Sequence, residues 1–103
     1  MPIYQTAHYQ VQPDAVPAVV AAIEEFVAYL TESEPGLVMY KAWQQEDDPT
    51  RFVHLFTFID EAAHETHGSS EAVRRFESVY KPVLVGGPVA FTNYRLIASN
   101  QTT

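Results

Sequence analysis

Three of the four histidines, His54, His64 and His67, fall within a single fourteen-residue stretch. Most of that stretch reads FTFIDEAAHETH, with aromatic residues before the second histidine and a short polar run around the last two. Imidazole is the side chain whose ordinary pKa, about 6.5, lets it take and return a proton near neutrality. His54, His64 and His67 are therefore candidate catalytic bases. The same residues, with Glu65, are also chemically suited to hold zinc, iron or nickel. HETH is H-x-x-H, however, and not the H-E-x-x-H of a helical zinc site, so the metal reading stands second. His8 lies apart and reads as structural.

Composition excludes several other chemistries. The chain has no cysteine, so disulfides, thiolate metal sites and cysteine nucleophiles are ruled out. Its 13 acidic and 6 basic residues give a formal charge of -7, which argues against nucleic acid and against anionic lipid. No G-x-S-x-G nucleophile turn occurs, and VGGP lacks the following helix that a phosphate loop needs. No apolar run is long enough to span a bilayer, and MPIYQTAHYQ lacks the pattern of a signal peptide. These features predict one soluble, cytoplasmic domain over 1–103, with a core of about 3–98 and a frayed tail, 99–103.

The histidines need elements to position them. IYQTAHYQV, Ile3–Val11, is rich in β-formers and predicts a first strand. Asp14 is a candidate N-cap for a helix in which Val16, Val19, Val20, Ile23, Phe26, Val27 and Leu30 recur at helical spacing. Glu24, Glu25 and Glu32 lie largely off that stripe and, with Glu34, read as a solvated face. EPG ends the helix near Ser33. LVMYKAWQQ, Leu37–Gln45, and RFVHLFTFI, Arg51–Ile59, predict two strands around the polar turn EDDPT. Asp60 can cap a short helix over Glu61–His67, and Ser69 or Ser70 can cap the next. Val73, Phe76, Val79, Tyr80 and Val83 form the stripe of that helix. Phe26, Phe76, Tyr80 and Phe91 read as packing residues. VGGP reads as a turn before a last strand, Val89–Ala98. The order β-α-β-β-α-β predicts an α+β, ferredoxin-like antiparallel sheet with helices on one face.

The third strand adds a prediction about assembly. Phe52, His54, Phe56 and Phe58 alternate with Val53, Leu55, Thr57 and Ile59, so both faces are mostly apolar. A sheet with helices on one side should show one polar face. Something must cover the second, and a homodimer packed through the sheet faces is the simplest partner.

EPG before a tyrosine-bearing strand, then DEAAHETHGSSEAVRRFESVYKPVL and GPVAFTNYRLI, resembles the antibiotic biosynthesis monooxygenase domain family. This family includes quinol monooxygenases and haem-degrading members and belongs to the dimeric α+β barrel superfamily. The resemblance covers about Ile3 to Ala98. It implies a pocket in each subunit, between the helix-side face of the sheet and the helices. It also implies oxygenation without a metal or flavin cofactor. The family's aromatic-polyketide oxygenases carry Asn and Trp on the third strand and Tyr at the start of the next helix. Here those slots hold His54, Phe58 and His64. Haem-degrading members need a Trp on the third strand, where this chain has Phe56 and Phe58.

Oxygenation without a cofactor requires the substrate itself to supply the electron to dioxygen, as a phenolate, enolate or hydroquinone anion. The protein must supply a base and a dry pocket. The resemblance therefore implies His54 or His64 as base, with His67 orienting it or sharing the proton. Phe52, Phe56, Phe58 and Trp43 would form aromatic walls, and Tyr40, Arg75 or Asn93 would stabilise the anion. The expected activity is a monooxygenase for an aromatic polyol, quinol or polyketide-like small molecule. A non-catalytic domain binding a small hydrophobic ligand in the same pocket is the alternative. A histidine-dependent isomerase or cyclase is a third.

Overall fold

The computed structural model describes residues 1–101. Four strands, β1 (Ile3–Val11), β2 (Leu37–Gln44), β3 (Arg51–Phe58) and β4 (Leu84–Tyr94), form one sheet in the order β2-β3-β1-β4. Every neighbouring pair is antiparallel. Three helices, α1 (Val16–Ser33), α2 (Glu61–Gly68) and α3 (Glu71–Tyr80), complete the chain. This is the expected ferredoxin-like α+β arrangement, with α2 and α3 together filling the second helical connection.

Strand alternation sets what faces the helices. Phe52, His54, Phe56 and Phe58 of β3 are all buried, while Val53 and Leu55 on the opposite face are only partly covered. The core under the helices joins Val19, Ile23, Phe26 and Leu30 of α1 to Ala72, Phe76 and Tyr80 of α3 and to Tyr9, Val11 and Phe52 of the sheet. The opposite face carries exposed Val38, Trp43, Ile59 and Tyr94. A trough of about 1060 Å³ runs along it beside the irregular segment after β4.

Helix ends follow local chemistry at two of three starts. The Asp60 side chain accepts a hydrogen bond from the Ala63 amide at 2.9 Å, and Ser70 Oγ accepts one from the Val73 amide at 3.2 Å. At α1 the expectation fails. Pro13–Ala15 form a turn of 3-10 helix, Ala15 occupies the cap position, and Asp14 caps nothing. Two prolines, Pro13 and Pro17, preset the backbone there and remove amides that would otherwise need a cap.

The last strand also differs from expectation. It starts at Leu84, runs through Gly86-Gly87-Pro88 and stops at Tyr94. Gly86 and Gly87 have φ of 79° and 108°, which an L side chain rarely adopts. They let four residues bulge out of the ladder between the pairs Gln10↔Val85 and His8↔Ala90. A pattern that usually breaks a strand here bends one. Beyond it, Arg95–Ala98 pair with no strand, and the last two tail positions, 102 and 103, lie outside the described residues.

Candidate functional site

The inner row of β3 forms the floor of a cavity of about 370 Å³ between the sheet and the helices. Its wall includes Tyr9, Phe26, Tyr40, His54, Phe56, His64, His67, Phe76, Tyr80 and Phe91. Phe91 was expected in the core but is 60% exposed; it forms an open rim of the cavity. A larger depression of about 570 Å³ lies at the end of the sheet, around Trp43, Arg51, Phe52 and the two-glycine bulge. It holds one histidine, His8, whereas the inner cavity gathers three histidines and three tyrosines.

His54 sits at the centre of the cavity floor and is 1% exposed. Strand register explains its surroundings. Small residues, Ala7 of β1 and Ala42 of β2, stand directly opposite it. Tyr9 pairs with Phe52 and Tyr40 with Phe56, so the two tyrosines are its diagonal neighbours, one toward each end of the strand. Diagonal neighbours on one face lie within reach of aromatic side chains. The Tyr9 hydroxyl is 2.8 Å from His54 Nε2 and the Tyr40 hydroxyl 2.6 Å from Nδ1. Burial pushes the imidazole down to about 4, so the ring is neutral near pH 7. Burial first, and neighbouring phenols second, raise Tyr9 and Tyr40 well above the usual tyrosine range. Tyr80, also buried and near Glu77, is pushed up to about 12.

His67 has a different setting. It lies in the last turn of α2, and its Nδ1 is 2.9 Å from Oε1 of Glu34. The two side chains are 14% and 7% exposed, so this is a nearly buried pair. The ring packs among Phe26, Tyr40, Phe56 and Phe58, at centroid distances of 5.1 to 6.4 Å. Nε2 has no hydrogen-bond partner among the described residues, and the ring lines the cavity. With Nδ1–H donating to the carboxylate, Nε2 is left as an acceptor available to a ligand.

Glu34 was expected on a solvated face, and the structure corrects this. It follows the last residue of α1, with φ -126° and ψ 80°, so helical periodicity no longer sets where its side chain points. It turns inward and is 8% exposed. Gly36 makes the approach possible, since a Cβ there would lie 2.6 Å from Ala63 Cβ of α2. The missing side chain lets the turn close on the helix that carries His67. Glu34 Oε2 is buried without a partner, an arrangement that costs stability.

His64 stands at the cavity mouth. Its ring meets Phe58 edge-on at 5.1 Å, and its Nδ1 is 3.8 Å from Glu61 of the same helix. Of the other expected residues, Phe56 and Tyr40 line the cavity. Phe58 is fully buried behind His64 and His67. Phe52 stacks under Tyr9 at 5.4 Å and does not reach the cavity. Trp43 alternates to the other side of β2 and is 56% exposed, so it cannot form a wall. Arg75 pairs with Glu25 at 2.9 Å on the outer surface of α1 and α3. Asn93 accepts a hydrogen bond from Gln5 Nε2 at 2.8 Å beyond the cavity wall. The rival metal reading needs three donors to converge. No group of three His, Asp or Glu side chains among the described residues is placed to hold an ion.

Neither Tyr9 nor Glu34 was expected in the site from the sequence. The alternation Gln5, Ala7, Tyr9, Val11 on β1 carried a signal for Tyr9, once its register with His54 is known. For Glu34 only the interrupted helix at EPG was available.

No curated protein gives a significant sequence match. Among solved structures, a candidate antibiotic biosynthesis monooxygenase of Bacteroides thetaiotaomicron superimposes with a TM-score of 0.88 at 14% identity, covering 99% of this chain and 95% of that one. A Mycobacterium tuberculosis protein gives 0.84 at 21% identity, covering 98% and 100%. A Pseudomonas aeruginosa protein gives 0.81 at 24%, covering 94% and 95%. At these identities the likeness speaks to the fold. The antibiotic biosynthesis monooxygenase family model matches residues 2–78, about three quarters of the sequence. The chain belongs to the antibiotic biosynthesis monooxygenase family.

Proposed function

We propose that the protein is a monooxygenase acting without a bound cofactor on a quinol, aromatic polyol or polyketide-like substrate, with His67 as the base. One observation carries this reading: the nearly buried His67–Glu34 pair leaves Nε2 free in a cavity walled by aromatic rings. His54 fits the role less well, because both of its nitrogens are engaged and burial lowers its basicity.

The chemistry follows from the geometry. Nε2 takes a proton from a phenol or enol, and the Glu34 carboxylate offsets the charge that appears on the imidazole. The resulting anion passes one electron to dioxygen, giving a substrate radical and superoxide. These combine at carbon to a peroxide. When the site of attack is a CH₂ group, loss of water gives a carbonyl, and His67 returns its proton to the departing oxygen. One dioxygen is consumed, one oxygen atom enters the product and the other leaves as water. The aromatic walls shield the anion from water on the closed side of the cavity, and 370 Å³ suits a small polycyclic ring system whose bulk would fill the open side.

Oxygen uptake with hydroquinones and anthrones tests the reading. Wild type should consume oxygen with substrate and His67→Gln should not. Equal rates in the two remove His67 from the mechanism. Ligand-induced stabilisation without oxygen uptake would favour a binding domain instead. Isomerised product at constant oxygen would favour an isomerase.

The same proposal includes a cytoplasmic homodimer through the outer sheet face. Exposed Val38, Trp43, Ile59 and Tyr94 around half-buried Leu55 support it. Light scattering should give twice the mass of the 11.6 kDa chain, and Leu55→Asp should halve it. A monomeric wild type at micromolar concentration overturns the assembly.

A further inference from the structure

The cavity contains a second cluster that the proposed base does not use. Tyr9, His54 and Tyr40 form a chain of three groups joined by two hydrogen bonds, 2.8 and 2.6 Å long. Its protons can be counted. Burial keeps both phenols protonated and the imidazole neutral, so the chain holds three hydrogen-bonding protons. Its two internal bonds use two of them. One O–H is always left over, and neither hydroxyl has another partner among the described residues. If His54 carries its proton on Nε2, Tyr40 donates to Nδ1 and the spare O–H is on Tyr9. If the proton is on Nδ1, Tyr9 donates to Nε2 and the spare O–H is on Tyr40.

Both tyrosines line the cavity, and the Tyr40 ring lies 6.4 Å from the His67 ring, centroid to centroid. We propose that Tyr9, His54 and Tyr40 act as a neutral relay that aims the Tyr40 O–H at the anionic oxygen of a bound phenol or enol, beside the base. This deepens the reading of the cavity as a site for hydroxylated aromatics and rests on it. A hydroxyl donating to a phenolate makes a charge-assisted bond, stronger than one to a neutral phenol. Deprotonation of the ligand therefore selects the Nδ1–H form of His54, and Tyr9 holds the ring in that form by donating to Nε2. Tyr40 is the contact residue, and Tyr9 and His54 are positioning residues. The other titratable groups on the cavity are His64, His67, Glu77 and Tyr80, and none bonds to either hydroxyl.

The test is binding of 4-nitrophenol without oxygen, read from the phenolate absorption band across a pH series. Wild type should bind the phenolate about tenfold more tightly than the phenol, lowering the apparent pKa of the bound ligand by about one unit. Tyr40→Phe should abolish that preference while still binding the phenol. Tyr9→Phe should give an intermediate preference. His67→Gln separates the relay from simple attraction to a charged imidazole, and should leave the Tyr40 dependence in place. Incorporation of 3-fluorotyrosine at position 40 keeps the shape, acidifies the hydroxyl and should increase the preference, so the test survives poor folding of Tyr40→Phe. A wild type that does not bind, or shows no phenolate preference, overturns the relay. So does a Tyr40→Phe variant with the wild-type preference. Phenolate preference without oxygen uptake in any assay would keep the relay and discard the oxygenase. Oxygen uptake with the wild-type preference intact in Tyr40→Phe would do the reverse.

Discussion

His54 and His67 line the same cavity and have opposite surroundings. His54 comes from the middle of a strand, where flanking strands supply a hydroxyl to each nitrogen. Its polar needs are met by neutral groups, so burial dominates and the ring stays uncharged. His67 comes from the end of a short helix, where one nitrogen meets a carboxylate and the other has no hydrogen-bond partner among the described residues. A satisfied histidine and a half-satisfied one are suited to different tasks. The first can orient hydrogen bonds without changing charge, and the second can accept a proton beside a counter-charge. On the proposed reading the cavity separates an orienting function from a proton-accepting one, and this division can be broken experimentally.

The largest effect should come from the half-satisfied histidine. His67→Gln should lower kcat/KM for a quinol or anthrone by about a hundredfold or more, as for loss of a general base. Oxygen-electrode rates check it, and a loss under threefold would reverse the assignment of roles.

Next comes the stability linked to His54. Burial takes its pKa from 6.5 to about 4, so the unfolded chain binds the proton more readily between those values. The linked stability is therefore complete above about pH 6.5 and is lost as pH falls toward 4, by roughly 3 kcal/mol. Urea unfolding of wild type and His54→Gln from pH 7 to 4 should show the wild type losing more. Parallel pH dependences would mean that the ring is not held neutral.

A smaller effect tests the counter-charge. Glu34→Gln keeps the shape and a hydrogen-bonding atom but removes the charge beside His67, and should cost about tenfold in kcat/KM. It should leave phenol binding near the wild-type value. An unchanged rate would make Glu34 a structural anchor for α2 only.

The smallest effect is expected at the cavity mouth. His64 is partly exposed and 3.8 Å from Glu61, so His64→Ala should change kcat/KM by less than about threefold and stability by less than about 0.5 kcal/mol. A larger kinetic loss would move the proton-accepting role from the last turn of α2 to its first.

Much of the frame behind this comparison was legible from residue order. Alternation along β3 correctly placed His54 among Phe52, Phe56 and Phe58 on the helix side. The same rule, followed along β2 from Tyr40, puts Trp43 on the other face, which the expected role for Trp43 overlooked. Arg75 was legible only as a cation on a helix, and its partner Glu25 came from another helix fifty residues earlier.

By itself the sequence determined the ferredoxin-like element order, the inward row of β3, the cap at Asp60 and a serine cap at Ser69 or Ser70, of which the structure uses Ser70. Each of these is a short-range property, fixed by side-chain periodicity or by one side chain reaching an amide three residues away. Tertiary structure decided which histidine is closed and which is open. The partners of His54 lie 45 and 14 residues away and depend on strand register. The partner of His67 lies 33 residues away and depends on a side chain leaving the end of a helix and a glycine letting two segments touch. Periodicity stops where a helix ends, so the inward turn of Glu34 had no local signature. It arose from packing, which brings distant residues to one cavity and assigns each histidine its environment.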